Sequence, residues 1–312
     1  MKGVTYGTGR TIDVDSANLN LAKSWIMSCQ ESHSNLPDGC TPLRAPLDVP
    51  LKIIDCQDRH IRALRNDEPY VCLSYVWGST VGSKAKNLTL PEQLPKTIED
   101  AIWVASQLDI PRIWADQYCI DQENFQEKTS TIAAMDRIYG GADITIVAAN
   151  GDASYGLSGV HGTPRRQQRF LHSQECTFLV AGDICQQIRS SRWNSRGWTY
   201  QEGMLASRRL VFTESQLYFQ CDGMHCLETL DQGLNNQPLR DDRDLQFFAG
   251  AGRGYSLNTV YELLKEYFTR NLSFGSDSIS AFEGVLNALM DNRSGSTRMK
   301  HLFGIPVFFE VG

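Results

Sequence analysis

No stretch of this chain approaches the roughly 20 consecutive apolar residues that a membrane-crossing helix requires. The opening residues, Met1 to Gly7, lack the apolar segment of a secretory leader. The sequence therefore predicts a cytoplasmic protein with no membrane partner. Basic charge is in short supply as well: 30 Lys and Arg stand against 36 Asp and Glu, a net charge of −6. A nucleic acid held by bulk charge needs a basic face, so none is expected as a partner. Internal repeats and low-complexity tracts are missing. So are the familiar catalytic and cofactor signatures. No G-x-G-x-x-G follows a strand pattern. Gly78 to Lys84 has the wrong spacing for a P-loop and no hydroxyl residue after Lys84. Gly156-Leu157-Ser158-Gly159 fails as a nucleophile elbow, and H-E-x-x-H is absent. A required cofactor is accordingly not expected.

What remains is a chain of 312 residues, 41% hydrophobic, 10% aromatic and 21% charged. That composition excludes a disordered, collagenous or coiled-coil architecture. A chain this long buries about three-quarters of its unfolded surface and folds without staples. Its nine cysteines are odd in number and scattered. Free thiols in a reducing compartment, cytosol or nucleus, are the expected state.

The apolar spacing predicts a helix over 18–29, with Ala22, Trp25, Ile26 and Cys29 on one face, followed by a loop over 30–46. A regular alternation then begins. Val71–Val76 reads as a buried strand. Ile98, Ala101, Ile102, Ala105 and Leu108 give a helix, and Ile113–Ala115 a second strand. Ile132, Met135, Ile138 and Tyr139 give a helix closed by Gly140-Gly141. Ile144–Ala149 is a third strand. This β-α-β-α-β order predicts an α/β fold with parallel strands. A Gly- and Arg-rich loop over 150–173, a strand at 176–181, and a helix near 199–206 follow. A hairpin of Arg209–Thr213 with Gln216–Cys221 comes next. After a polar stretch over 229–256, two helices are expected at 257–270 and 277–291. The expected division is an N-terminal helix and loop (1–46), an α/β core (47–228) and a helical extension packed on it (229–312).

Ligands of open parallel sheets bind beyond the carboxyl ends of the strands. There the sequence places Ser74-Tyr75-Val76-Trp77-Gly78, then Asp116 to Gln122, then Asn150-Gly151-Asp152. Asp116 and Asp121 are candidate acid–base groups, or else simply turn and helix caps. A second cluster is Ser191 to Glu202, with two tryptophans and two arginines inside seven residues. Arginine stacks on indoles and pairs with anions bidentately. Glu202 reads either as a carboxylate favouring a helix start or as a catalytic acid beside an aromatic wall. A small-molecule ligand at this sheet edge is expected. Cys29-x3-His33-x6-Cys40 and Cys221-x3-His225-Cys226 each offer three metal-ligand types, but neither has paired C-x2-C spacing. Buried small thiols and a surface histidine are the expected reading, and no metal is expected.

Taken together, the motifs resemble the fungal HET (heterokaryon incompatibility) domain. The resemblance is carried by Trp25-x3-Cys29-x3-His33, by Tyr70 to Gly78, by Ile113 to Gln122 with Met135-x2-Ile138-Tyr139, and by Arg196 to Glu202. Phe219-Gln220-Cys221 with Glu228, Tyr267-x2-Arg270, and the Asp277 to Gly284 stretch also fit. The likeness spans about residues 20–305; Ala115 departs from the family's usual middle apolar residue, and the chain stops soon after the homology. The resemblance implies an intracellular module of programmed cell death in filamentous fungi. It also implies a TIR-like, flavodoxin-like parallel sheet with helices on both faces, plus a β-hairpin and C-terminal helices. Some TIR domains cleave NAD with a glutamate in a Trp-Cys-x-x-Glu motif, which Trp198-Thr199-Tyr200-Gln201-Glu202 matches in shape. The candidate catalytic residues are then Glu202, Asp116 and Asp121. The candidate substrate-binding residues are Ser74, Tyr75, Trp77, Gly78, Arg196, Trp198 and Tyr200. NAD is the candidate substrate. Two alternatives stay open: a non-enzymatic module that assembles with itself or with other death-signalling proteins, and an acid–base enzyme of small-molecule biosynthesis.

Overall fold

The computed structural model describes residues 8–33, 39–65, 67–78, 85, 88–174, 177–180, 182–231, 246–248, 257–291, 297–302 and 304–310. In chain order the elements are β1 (Thr8–Gly9), α1 (Leu19–His33), β2 (Lys52–Asp55), β3 (His60–Ala63), β4 (Val71–Ser74), α2 (Lys96–Gln107), β5 (Arg112–Trp114) and α3 (Asp116–Cys119). Then come α4 (Phe125–Ala133), α5 (Met135–Gly140), β6 (Ile144–Ala148), β7 (Arg169–His172), β8 (Thr177–Val180), α6 (Ile184–Arg189), α7 (Trp198–Leu205), β9 (Arg208–Phe212) and β10 (Leu217–Cys221). The last are β11 (His225–Leu227), β12 (Leu230–Asp231), α8 (Leu257–Tyr267), α9 (Ser280–Asp291), β13 (Thr297–Leu302) and β14 (Ile305–Glu310).

Eight strands form one sheet in the order β11-β10-β9-β6-β4-β5-β2-β3. The four central strands are parallel to one another. Their sequences explain it: Val-Cys-Leu-Ser of β4 and Ile-Thr-Ile-Val-Ala of β6 are buried along their whole length, as strands covered on both faces must be. Antiparallel pairs close both flanks, β2–β3 on one side and β10–β11 on the other. The expected β-α-β-α-β unit is the centre of this sheet, while the sheet as a whole is mixed.

Side-chain alternation assigns the two faces of its β6–β9–β10 half. Ile144, Ile146, Leu210, Phe212, Leu217 and Phe219 share one core with Ala22, Trp25, Ile26 and Cys29 of α1. Val147, Val211 and Tyr218 point the other way, into a core with Ile184, Cys185 and Ile188 of α6 and with Trp193. A third core joins Tyr200 and Met204 of α7 to Leu263, Tyr267, Phe282 and Leu286 of α8 and α9.

The helix expected across Ile132–Tyr139 is two helices, broken at Ala134, where φ is −104° and ψ is 7°. Asn124 starts the first by accepting the Glu127 N–H. That piece buries only Thr131, whereas the second buries Met135, Ile138 and Tyr139. The break thus lets one apolar face turn inward. The expected loop over 30–46 begins later than predicted, because α1 runs to His33; residues 34–38 lie outside the described set, as do 79–84 of the P-loop-like stretch. The final 20 residues, which have no clear sequence pattern, contain the β13–β14 hairpin.

Candidate functional site

Because β4, β5 and β6 run parallel, their carboxyl ends reach the same edge of the sheet. Beyond β4 the chain turns through Gly78 at φ +79°, a left-handed conformation natural to glycine. A Cβ there would stand 2.7 Å from the Asp152 carboxyl group, which follows β6. Asp152 in turn pairs with Arg192 at 2.9 Å. The three loop ends are therefore in direct contact.

Helix α7 delivers Glu202 to this place. Its carboxyl is 5% exposed and accepts a 2.5 Å hydrogen bond at Oε2 from Ser74 Oγ. Ser74 Oγ itself accepts from the indole Nε1 of Trp193 at 2.7 Å. An indole N–H only donates, so Ser74 Oγ is the acceptor in that contact and bridges Trp193 to the Glu202 carboxyl. Burial, and next the negative charge of Asp116, push the Glu202 pKa up to about 8, against the opposing pull of the Ser74 hydrogen bond and the Arg196 charge. Asp116, on the first turn after β5, is raised to about 6, chiefly by burial. Its Oδ2 accepts from Trp77 Nε1 at 2.8 Å and its Oδ1 from the Gln117 N–H at 2.7 Å. Two neighbouring carboxyl groups thus lose their protons at separate pH values, the arrangement from which acid and base roles are made.

Both carboxyl groups line a cleft of about 600 Å³, within the usual range for small-molecule sites. Trp77 and Trp198 provide aromatic wall, and Lys128, Arg192 and Arg196 provide cations. The far wall is Asn271 to Phe274 with Asp277, from the C-terminal part of the chain. This segment is tied down at two points. A backbone β-bridge joins Arg196 to Asn271, with Gly197 N donating to Asn271 O at 2.8 Å and Asn271 N to Ser195 O at 2.6 Å, and Trp198 Nε1 donates to Asp277 Oδ2 at 3.2 Å. Behind it, Arg270 donates to Asn194 Oδ1 at 2.5 Å and lies over the Tyr200 ring at 4.5 Å.

The cleft brings together Tyr75, Trp77, Gly78, Asp116, Arg196, Trp198 and Glu202, with Ser74 beneath them. Two expected site residues lie elsewhere. Asp121 is exposed and caps a turn, its Oδ1 accepting from Glu123 N at 3.0 Å and Asn124 N at 3.3 Å. Tyr200 faces away, into the α8–α9 core, where it donates to Leu263 O at 3.1 Å and stacks on Phe282. On a helix, residues 198 and 202 share a face and 200 does not, which explains the difference. Arg192 belongs to the Ser191–Glu202 cluster and Asp277 to a stretch of the family resemblance, whereas Lys128 and the 271–274 wall carry no sequence signal of their own and emerge only from the fold.

The cysteine and histidine groupings meet in part. Ligand atoms of Cys29, His33, Cys40 and Cys221 all lie within 4.8 Å of one another, while His225 and Cys226 are outside the group. The eight described cysteines are buried, and no disulfide joins any two of them.

In comparison with known proteins, residues 70–202 fit the family model described as heterokaryon incompatibility protein (HET). No curated protein and no solved structure matches the chain.

Proposed function

We propose that the chain, whose residues 70–202 match the HET family model, has a heterokaryon-incompatibility-type function and serves it as an enzyme that hydrolyses NAD at its nicotinamide–ribose bond. The observation that carries the proposal is the Glu202 carboxyl at the floor of a cleft walled by two indoles and two guanidinium groups. Indoles stack on bases, and arginines hold phosphates bidentately, so the cleft has the chemistry of a dinucleotide site. Arg192 and Arg196 take the pyrophosphate. Trp77 and Trp198 flank a ring. The nicotinamide ribose lies over Glu202.

Before substrate binds, Glu202 is neutral below about pH 8. A bound nicotinamide ring is cationic, and a cation beside a carboxyl favours its ionised form. The substrate thus creates its own carboxylate. As the C1′–N bond breaks, its electron pair leaves with neutral nicotinamide. The positive charge that grows on the ribose faces Glu202, a fixed charge that needs no reorganisation. Water adds to C1′, and its proton passes to Asp116, whose pKa of about 6 suits a base near neutrality. The Ser74–Trp193 chain holds Oε2 in place throughout.

The assay is nicotinamide release from NAD by the purified chain and by Glu202→Gln, run up to high protein concentration. Release by the wild type and a loss of at least about 100-fold in the variant are expected. No release by the wild type rules the proposal out. A second reading, non-catalytic self-assembly, is favoured by an exposed apolar row on β14: Ile305, Val307 and Phe309 lie on one face, 67%, 49% and 39% exposed. Light scattering of a Val307→Lys variant tests it; a species of unchanged size in both proteins removes this reading.

A further inference from the structure

We propose that Cys29, His33, Cys40 and Cys221 bind one zinc ion in a closed Cys3His site that fastens α1 and the loop after it to strand β10. Three chain segments set up the geometry. Cys29 and His33 are four apart on α1, so they share a helix face. Cys40 is brought back to that helix end by its own N–H, which donates to His33 O at 3.3 Å. Cys221 ends β10, and its N–H closes a turn onto Met224 O at 2.9 Å. Gly223 in that turn lies under the His33 imidazole: a Cβ on it would stand 2.6 Å from Cε1 and 2.7 Å from both ring nitrogens. The turn can therefore hold His33 against Cys221 only because position 223 has no side chain.

All four ligand atoms fall within 4.8 Å of one another. Around a tetrahedral zinc, with bonds of about 2.3 Å to sulfur and 2.0 Å to nitrogen, they stand roughly 3.3–3.8 Å apart. The Cys221 Sγ to His33 Nδ1 distance is 3.4 Å. Small side-chain rotations close the remaining gap.

A second observation concerns charge. Arg208 is 1% exposed. It donates from Nε to Cys29 Sγ at 3.1 Å and from NH1 to Asp143 O at 3.1 Å. Among the described residues it has no carboxylate ion pair. A buried guanidinium needs an anion. Three thiolates and a Zn2+ sum to −1, which Arg208 neutralises. Three soft thiolates with one imidazole, and no fifth ligand among the described residues, select zinc over the harder cations. Because all four positions are protein groups, the site is structural, not catalytic, and none of its residues lines the cleft.

The test is the metal content of the full chain, purified without chelator or histidine tag. About one zinc per chain is expected, with the absorption of a tetrahedral thiolate complex after Co2+ replacement. The Cys40→Ser/Cys221→Ser double variant should fall to background zinc, while Cys226→Ser, outside the group, keeps its metal. A folded wild type with no stoichiometric metal overturns the proposal. So does a disulfide among Cys29, Cys40 and Cys221 in a non-reducing peptide map, or full zinc retention in the double variant. If the double variant does not fold, the wild-type metal content and cobalt spectrum decide by themselves. None of these readouts depends on NAD turnover.

Discussion

Glu202→Gln replaces a carboxyl by an amide of nearly the same shape. The amide oxygen can keep the contact with Ser74. At pH 5 the two proteins should therefore be almost equally stable. They should part as pH rises. Glu202 keeps its proton more tightly in the folded chain than in the unfolded one, with a folded pKa of about 8 against an ordinary 4.5. The stability that depends on this proton is fully present below the unfolded value, fades above it, and is lost once pH passes the folded value. At about 1.4 kcal/mol per pH unit, the wild type loses about 4 kcal/mol between pH 5 and pH 9 through this one group, an upper figure if water relaxes the site. Asp116 titrates in both proteins and largely cancels. Urea unfolding of each protein at pH 5, 7 and 9 gives the comparison, with Glu202→Gln the more stable at pH 9. Parallel pH profiles for the two would refute the reasoning, since Glu202 would then be an ordinary ionised carboxylate.

Asp116→Asn removes the charge that helps to raise Glu202, so the pH at which the wild type loses stability should move toward acid, read from the same unfolding series. Ser74→Ala deletes a hydrogen bond that favours the ionised Glu202 and strands the Trp193 N–H; a cost of about 1–3 kcal/mol is expected, with the Glu202 transition moved to higher pH. Gly78→Ala puts a Cβ into the Asp152 carboxyl at positive φ and should cost about 1–3 kcal/mol in thermal unfolding; an unchanged melting temperature counts against the contact. Arg270→Ala withdraws the buried guanidinium behind the 271–274 wall. It should lower cleft-ligand affinity more than Glu266→Gln, its solvent-exposed partner, in a calorimetric titration.

The central sheet was legible because buried parallel strands leave continuous apolar runs, as in Val71–Ser74 and Ile144–Ala148. On one antiparallel flank the β9–β10 hairpin was legible too; the β2–β3 flank was not. Strand β3 is half-polar, and Lys52–Asp55 spans four residues with no distinctive turn motif after it. Of the β7–β8 hairpin only the second strand shows in the sequence, because the pair is largely exposed, with no inward face to impose alternation. Topology brings the residues directly after strands, Trp77, Gly78 and Asp116, to the cleft, and the Trp198–Glu202 motif brings Glu202. Asp121 and Tyr200 lie outside it because neighbouring positions in a motif point in different directions, one into a turn and one into a helical core. Arg192 stands within the Ser191–Glu202 cluster, and the 271–277 wall depends on a long-range β-bridge from Arg196 to Asn271. The Cys29–Cys221 meeting spans 192 positions, a closure that spacing alone does not reveal.

The claim that matters most is that the cleft is a dinucleotide site built around Glu202. Calorimetric titration of the turnover-disabled Glu202→Gln variant with NAD measures it without interference from product formation. One saturable site per chain is predicted, abolished in the same variant carrying Arg192→Ala and Arg196→Ala with its fold intact by circular dichroism. Absence of binding heat at several temperatures, or binding that survives loss of both arginines, would contradict the account.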